Sequence, residues 1–224
     1  MGSQHYDLLA SSADRASSQQ LAAHYSDFTI KWATLDWEIR QAHALRRSVF
    51  CDEQGIFEKD DIDEIDYEAQ VLVAIANHGG WHEKIVGTVR IHQPEEGIWW
   101  GSRLAVQHEF RKQVGLGANL ILLAVSSAYA LGCVQFLAQV QKKNEAFFQR
   151  LNWQSQFDLD VRNHPHVMMQ ADLSEFTPCF QPTSGFVVKS KRRTYMNEVP
   201  SPLLYACIAK SATYASAAEV YYAT

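Results

Sequence analysis

The sequence predicts a mixed α/β (α+β) fold, with a mostly antiparallel central sheet and flanking helices. Three observations carry that expectation. Three β-rich runs, 70–76, 84–92 and 99–106, follow one another across polar links at His78-Gly79-Gly80 and Pro94-Glu95-Glu96-Gly97, the pattern of an antiparallel meander. An apolar helix after Gly117 then leads to a further alternating run at 134–141, and a strand–helix–strand step within one sheet is a right-handed parallel crossover. Finally, 224 residues with 47% apolar and 12% aromatic content suffice for one packed domain with appendages.

Taken in order, residues 1–27 are rich in Ser, Ala and Gln and read as a tail or a loosely attached helix. The run 28–33 (FTIKWA) alternates as a strand does. Asp36 can cap a helix whose stripe passes through Ile39, Ala42, Leu45, Arg46 and Val49 to Phe50, and Gly55 ends that region. From Asp52 to Glu68 stand nine carboxylates and one lysine, with Ile56, Phe57, Ile62, Ile65 and Tyr67 threaded among them. Such a run is either a solvated loop or a segment whose acids face a cation, and the interleaved apolar residues argue that it is folded over something.

Beyond the meander, Leu116, Leu120, Ile121, Ala124, Val125 and Ala128 recur at helical steps. A short helix is expected over 143–151, and a closing strand pair over 154–159 and 166–171 around Asn163-His164-Pro165. After Leu173 the character changes: prolines at 178, 182, 200 and 202, a basic cluster at 189–193 and an Ala/Tyr-rich end mark 174–224 as an extension rather than a second core. The main domain is therefore expected over 28–173.

Composition excludes several classes of function. A net charge of −5 gives no global basic character to attract nucleic acid or an anionic membrane, and the basic cluster at 189–193 is local enough to be a solvated surface. No apolar run reaches membrane-spanning length, and the first residues lack the basic and apolar parts of a signal peptide. Cys51, Cys133, Cys179 and Cys207 are widely spaced and form no metal-binding pattern. A reduced, cytoplasmic protein without a metal is the expectation.

The chain is organised around the turn at 111–118. It carries Arg111, Lys112, Gln113, Val114, Gly115, Leu116, Gly117 and Ala118 between a strand and a helix. The first N–H groups of a helix lack intrahelical partners, and the helix dipole with the adjacent Arg111 and Lys112 adds positive potential. A pyrophosphate suits such a site, and Gly115 or Gly117 would let it approach the backbone. A glycine pair at a helix start can equally be a tight turn with close helix–sheet packing. It is neither a Walker loop nor the three-glycine dinucleotide fingerprint.

The order of elements, with this loop and the later segment NEAFFQRLNW (144–153), resembles the GNAT superfamily of acetyl-CoA-dependent N-acyltransferases. Lys112, Gly115 and Gly117 match that family's Arg/Gln-x-x-Gly-x-Gly/Ala loop, after a strand ending at Leu104-Ala105-Val106. The likeness is closer to one branch, the nitrogen-starvation N-acetyltransferases. It rests on 46–57 (RRSVFCDEQGIF), 61–74 (DIDEIDYEAQVLVA), 85–91 (IVGTVRI), 99–106 (WWGSRLAV), 120–133, 136–153 and 164–173 in that order. It covers about residues 36–173. The resemblance implies a GNAT-like sheet with a splayed strand pair and an acyl-CoA cleft at Leu104 to Val106. It further implies cofactor contacts from the 111–118 loop, Asn144 and Phe148. Two departures stand out: Phe148 occupies the place of the tyrosine that often protonates the leaving thiolate, and Asn152-Trp153 replaces Gly-Phe.

Acyl transfer to an amine requires a positioned thioester, removal of a proton from the ammonium and stabilisation of the oxyanion. Glu53 is the first candidate base and Asp66 the second; each is alternatively an ordinary surface or capping carboxylate. Arg90 and Arg103 lie on strands, where buried guanidiniums demand partners. They could hold a substrate carboxylate, or pair with the acidic segment, the reading we favour. Asn144 can cap a helix or touch the cofactor. Cys133 has no His–acid company and reads as a buried thiol, and His43, His92 and His108 read as structural. The expected function is direct transfer of acetyl from acetyl-CoA to the amine of a small metabolite. A non-catalytic acyl-CoA sensor and an acyltransferase using a longer chain are the alternatives, and a homodimer is compatible with any of them.

Overall fold

The structure is a computed structural model that describes residues 25–111 and 115–190. Eight strands form one sheet in the order β6-β7-β5-β4-β3-β2-β1-β8. They are β1 (Asp27–Trp32), β2 (Gln70–His78), β3 (Trp81–Glu95), β4 (Ile98–Val106), β5 (Gln135–Gln141), β6 (Trp153–Val161), β7 (His164–Ala171) and β8 (Phe186–Lys189). β2, β3 and β4 form the expected meander, and β4 and β5 are the single parallel pair among the described strands. Helix α1 (Asp36–Arg47) covers one face, α2 (Leu116–Ala130) the other, and a short α3 (Glu145–Gln149) precedes β6.

The unbroken apolar run of β2 follows from burial on both faces. Val71, Val73 and Ile75 pack with Ala42, Leu45, Val49 and Phe50 on the α1 side. Leu72, Ala74 and Ala76 pack with Leu116, Leu120, Ala124 and Val125 on the α2 side. The start of α1 differs from expectation. Leu35 holds the cap position, Asp36 is already helical, and Glu38 reaches back to the Thr34 and Leu35 N–H groups at 2.7 and 3.1 Å. A leucine has no acceptor to offer, so a carboxylate inside the first turn does the capping, with Lys31 donating to the same Glu38.

Two boundaries also move. Tyr25 is buried against Phe110, so the packed core takes in residues before the expected limit at 28. At the other end β8 pairs antiparallel with β1, and Phe176 joins the core, so 174–190 continues the same sheet beyond the expected limit at 173. The turn before β8 is tight: a Cβ on Gly185 would stand 1.9 Å from the Ile30 carbonyl oxygen. A four-residue edge strand that turns only Phe186 and Val188 toward the core leaves little pattern in the sequence. The basic positions 191–193 and the segment to 224 lie outside the described residues. The closing hairpin turns at Arg162-Asn163 (φ 50° and 61°) rather than at 163–165, because a two-residue turn of this kind needs two positive φ angles. Proline is locked at negative φ, so Pro165 lies in β7.

The feature that positions the site is the opening between β4 and β5. They pair from Ile98↔Gln135 only as far as Gly101↔Ala138, after which both strands continue unpaired with each other. On the other side of β4, Thr88 faces Ala105 but Arg90 faces Ser102, so Arg103 and Leu104 together oppose Val89. Arg103 takes φ +56°, a left-handed conformation uncommon outside glycine. A bulge of this kind bends its strand and increases its twist, which carries β4 away from β5.

Candidate functional site

The opening between the strands leads to the head of α2. Gly115 caps that helix at φ +65° and is exposed, and the helix runs for 15 residues. The Gly115 carbonyl takes the Asn119 N–H, leaving the N–H groups of the first turn pointing outward without intrahelical partners. Gly117 answers the question left by the sequence. A Cβ there would meet Phe147 at 3.7 Å and Val106 at 3.9 Å, ordinary contacts, so packing within the protein does not demand a glycine. Among the described residues, nothing stands closer than these contacts to the place a side chain at Gly117 would take. Leu116 is buried and can contribute only backbone, Ala118 is half-buried, and Lys112, Gln113 and Val114 lie outside the described residues.

On β4, Ala105 is buried toward α1, whereas Leu104 and Val106 are partly buried and pack against the α2-side core. Gln107 returns its N–H to the Val86 carbonyl at 2.9 Å, which ends the strand. The Val106 carbonyl accepts from Arg111 Nε at 2.8 Å, drawing Arg111 back over the end of β4. Its two Nη atoms donate to the Glu53 carboxylate, both at 2.5 Å. Glu53 closes a π-helical turn (Ser48–Glu53) that continues α1, and the next residue, Gln54, accepts from Gln141 Nε2 at the end of β5 at 3.0 Å. Adjacent residues of one turn thus reach the ends of both diverging strands. The Arg111 hydrogen bonds hold the Glu53 carboxyl below the usual glutamate range, so while that pair persists Glu53 is a weak base.

Asn144 stands at the cap position of α3 and is exposed, but its side chain makes no capping hydrogen bond. Phe148 is 7% exposed and lies edge-on to Trp153 with centroids 5.2 Å apart, so it belongs to the core rather than to a cofactor surface. Its neighbour Phe147 is the aromatic that faces Gly117, a residue the sequence reading passed over.

The acidic segment is occupied by the protein's own cations. Asp66 accepts from Arg46 at 2.6 and 2.9 Å and pairs with Arg90 at 2.8 Å; all three side chains are at most 3% exposed. Asp61 holds Arg46 at 2.8 Å and Arg103 at 2.9 Å, and Asp63 takes Arg90 through both oxygens and Arg103 at 2.9 Å. Burial would raise the Asp66 carboxyl, but hydrogen bonds from Arg46 and Arg90 outweigh it and hold it far below the usual range. An enclosed carboxylate bound by two guanidiniums has neither the access nor the basicity to take a proton from an amine. Arg90 is likewise fully engaged, with its Nε on Ser102 at 2.9 Å. Burial, followed by the neighbouring Arg90, lowers Arg103. The sequence held a signal for this frame: Arg46 falls in the apolar stripe of α1, and a cation there requires buried acids.

At the mouth of the opening Phe57 lies beneath two guanidinium carbons, Arg103 at 4.8 Å and Arg162 at 4.5 Å. Arg162 was not singled out by motif or spacing, and Phe57 was read only as one of the apolar residues threaded through the acidic segment. Cys133 is buried, and burial pushes its thiol up to about 11, which leaves it inert as a nucleophile. His43 and His92 are lowered, first by burial.

Residues 30–153, more than half of the chain, match the family model described as Acetyltransferase (GNAT) family. No curated protein matches the chain. Among solved structures, a Lactobacillus plantarum protein thought to be an N-acetyltransferase superposes with a TM-score of 0.58 at 20% identity, over 65% of this chain and 98% of that one. An acyl-CoA N-acyltransferase from Pseudomonas aeruginosa gives 0.52 at 21% identity, over 64% and 98%. FeeM, an N-acyl amino acid synthase from uncultured soil microbes, gives 0.54 at 15% identity, over 67% and 94%. At these identities the likeness shows the fold.

Proposed function

The chain belongs to the acetyltransferase (GNAT) family, and from that premise we propose that it is an N-acetyltransferase carrying acetyl from acetyl-CoA directly to the amine of a small metabolite. The observation that supports this reading most is the β4–β5 opening, which runs onto the glycine-headed α2 with room above Gly117. Bound there, acetyl-CoA supplies the acetyl group and a thiolate that leaves with the C–S electron pair.

The chain's own groups do the rest. N–H groups of Gly115, Leu116, Gly117 and Ala118, with Arg111 and the neighbouring loop residues Lys112 to Val114, would hold the pyrophosphate. The β4 backbone at Leu104 to Val106, unpaired with β5, would line the pantetheine arm and donate an N–H to the carbonyl oxygen, and Phe147 would wall the path beside Gly117. Asn144, exposed at the head of α3, would add a polar contact. Arg111 would exchange Glu53 for phosphate oxygens, and the carboxylate so released is the base that takes the ammonium proton. Asp66 is withdrawn from that role by its two guanidiniums. With Phe148 buried in the tyrosine slot, the thiolate takes its proton from water.

Membership of the nitrogen-starvation branch is part of the proposal and rests on the ordered motifs over 36–173. A cytoplasmic location is also proposed; no helix among the described residues is long and apolar enough to cross a membrane. Isothermal titration with acetyl-CoA, followed by thiol release across an amine panel, tests the function. Absence of binding at millimolar coenzyme would overturn it.

A further inference from the structure

We propose that the cavity bounded by Phe57, Arg103 and Arg162 is the acceptor subsite, and that it selects an amine bearing a carboxylate and an apolar body. The inference rests on the N-acetyltransferase reading for the reaction, but the charge and shape of the cavity stand apart from it. The cavity measures about 490 Å³ and is lined by Ile56, Phe57, Ile62, Asp63, Arg103 and Arg162, among others. Its walls come from both sides of the opening. Arg103 sits on the bulge where β4 parts from β5, while Arg162 sits at the tip of the β6–β7 hairpin, whose β7 pairs with β5 along Gln141↔His166. The cavity therefore borders the bulge at which β4 parts from β5.

The charged groups of the cavity balance in number, Glu58, Asp60 and Asp63 against Lys59, Arg103 and Arg162, but Arg162 is paired with none of these acids. Asp63 is taken at both oxygens by Arg90 and again by Arg103. Asp60 accepts the Ile62 N–H, and the exposed Glu58 and Lys59 are of opposite charge. Arg103 uses Nε and Nη2 on Asp61 and Asp63, and its Nη1 has no hydrogen-bond partner among the described residues. Arg162 has neither an ion pair nor a hydrogen bond among the described residues, and lies over the Phe57 ring at 4.5 Å. Ring contact holds a guanidinium in place without neutralising it. A planar, oriented guanidinium beside an apolar wall of Ile56, Phe57 and Ile62 is matched by a carboxylate joined to an apolar side chain. Arg90, suggested by the sequence for this task, is fully engaged elsewhere; Arg162 takes its place.

The test uses the full chain, with phenylalanine and leucine each compared with its own amide. Titrations are run with and without coenzyme A, and acetyl transfer is measured from acetyl-CoA. The amino acids are expected to bind, and to react with a KM lower than that of the amides by about tenfold, the scale of one charge-assisted contact. Arg162→Asn suits the positive φ at that position, so the hairpin is retained. It should erase the difference by raising only the amino-acid KM, with coenzyme affinity unchanged, and Arg162→Lys should restore part of it. Equal KM values for acid and amide in the parent chain would overturn the inference. So would an equal effect of Arg162→Asn on both, or no binding of either amino acid at about ten millimolar, a concentration that detects even millimolar affinities. Failure of the function itself shows differently, as no coenzyme binding, and the titrations without coenzyme still decide the subsite.

Discussion

Glu53→Gln separates the pairing of one carboxylate with Arg111 from its proposed role as the base. Glu53 and Arg111 are joined by two hydrogen bonds of 2.5 Å, with side chains 39% and 33% exposed. Solvent screening limits a pair of that exposure to about 1 kcal/mol even in bidentate geometry, a factor of about five in a binding constant. If the coenzyme pyrophosphate takes Arg111, binding must first break this pair. Removing the charge on Glu53 should therefore tighten coenzyme A binding by about two- to fivefold, with the gain shrinking as salt is raised. Pantetheine lacks the pyrophosphate and should bind both proteins alike. Turnover should move in the opposite direction, falling about 100-fold or more if the freed carboxylate removes the ammonium proton. Calorimetry with the two ligands and a thiol-release assay read both effects. Unchanged or weaker coenzyme affinity refutes the competition for Arg111, and normal turnover removes Glu53 as the base.

Gly117→Glu should abolish coenzyme A binding in calorimetry while leaving circular dichroism unchanged, because a Cβ there meets only ordinary contacts and the added charge repels phosphate. Asp66→Asn should lower stability by about 3–5 kcal/mol in urea titration, since it leaves Arg46 and Arg90 buried beside a neutral amide. Acid should destabilise in two stages. His43 and His92 are lowered by burial, so the unfolded chain takes protons first and stability starts to fall below about pH 6.5. Asp63 and Asp66 are held low, so their contribution is complete above about pH 4 and is lost as pH falls further through their folded values, which urea midpoints across pH would show. Iodoacetamide at about pH 8, near the ordinary cysteine range, should leave Cys133 unmodified in the native protein and label it in urea, as mass spectrometry of the peptides would record.

The meander, the crossover and the helix after Gly117 were legible because each depends on hydrophobic period, a local property that survives without knowledge of neighbours. Strand β8 was not, since Phe186–Lys189 turns only Phe186 and Val188 toward the core, an alternation too short to mark a strand. Gly115 was read from the sequence only as one of two glycines that would let a pyrophosphate approach, and its left-handed conformation at the head of α2 came from the structure. Phe148 shows the limit of motif reasoning. Its place in the segment was read from the resemblance, whereas its burial against Trp153 depends on packing that no motif records. Arg162 lay further out of reach. An arginine in a two-residue turn looks like any surface cation until the hairpin brings it over Phe57, more than a hundred positions earlier in the chain.

The acidic segment connects these observations. Sequence left it between a solvated loop and a ligand-facing surface, and the structure makes it a frame. Arg103 holds a left-handed backbone whose cost is about 1–3 kcal/mol, and such strain persists only where surroundings over-determine it. Those surroundings are Asp61 and Asp63, which grip the Arg103 side chain, while Asp66 and Asp63 fix Arg90 on the adjoining strand and Arg46 ties the segment to α1. Because Arg90 also donates to Ser102, the frame holds β4 at Ser102 and Arg103, where its register with β3 breaks. The bulge turns β4 away from β5, and the opening that results is where the proposed thioester arm would lie. Carboxylates that seemed candidates for chemistry thus act one layer behind it, keeping open the cleft whose floor is β4 and whose far end is the glycine-headed helix.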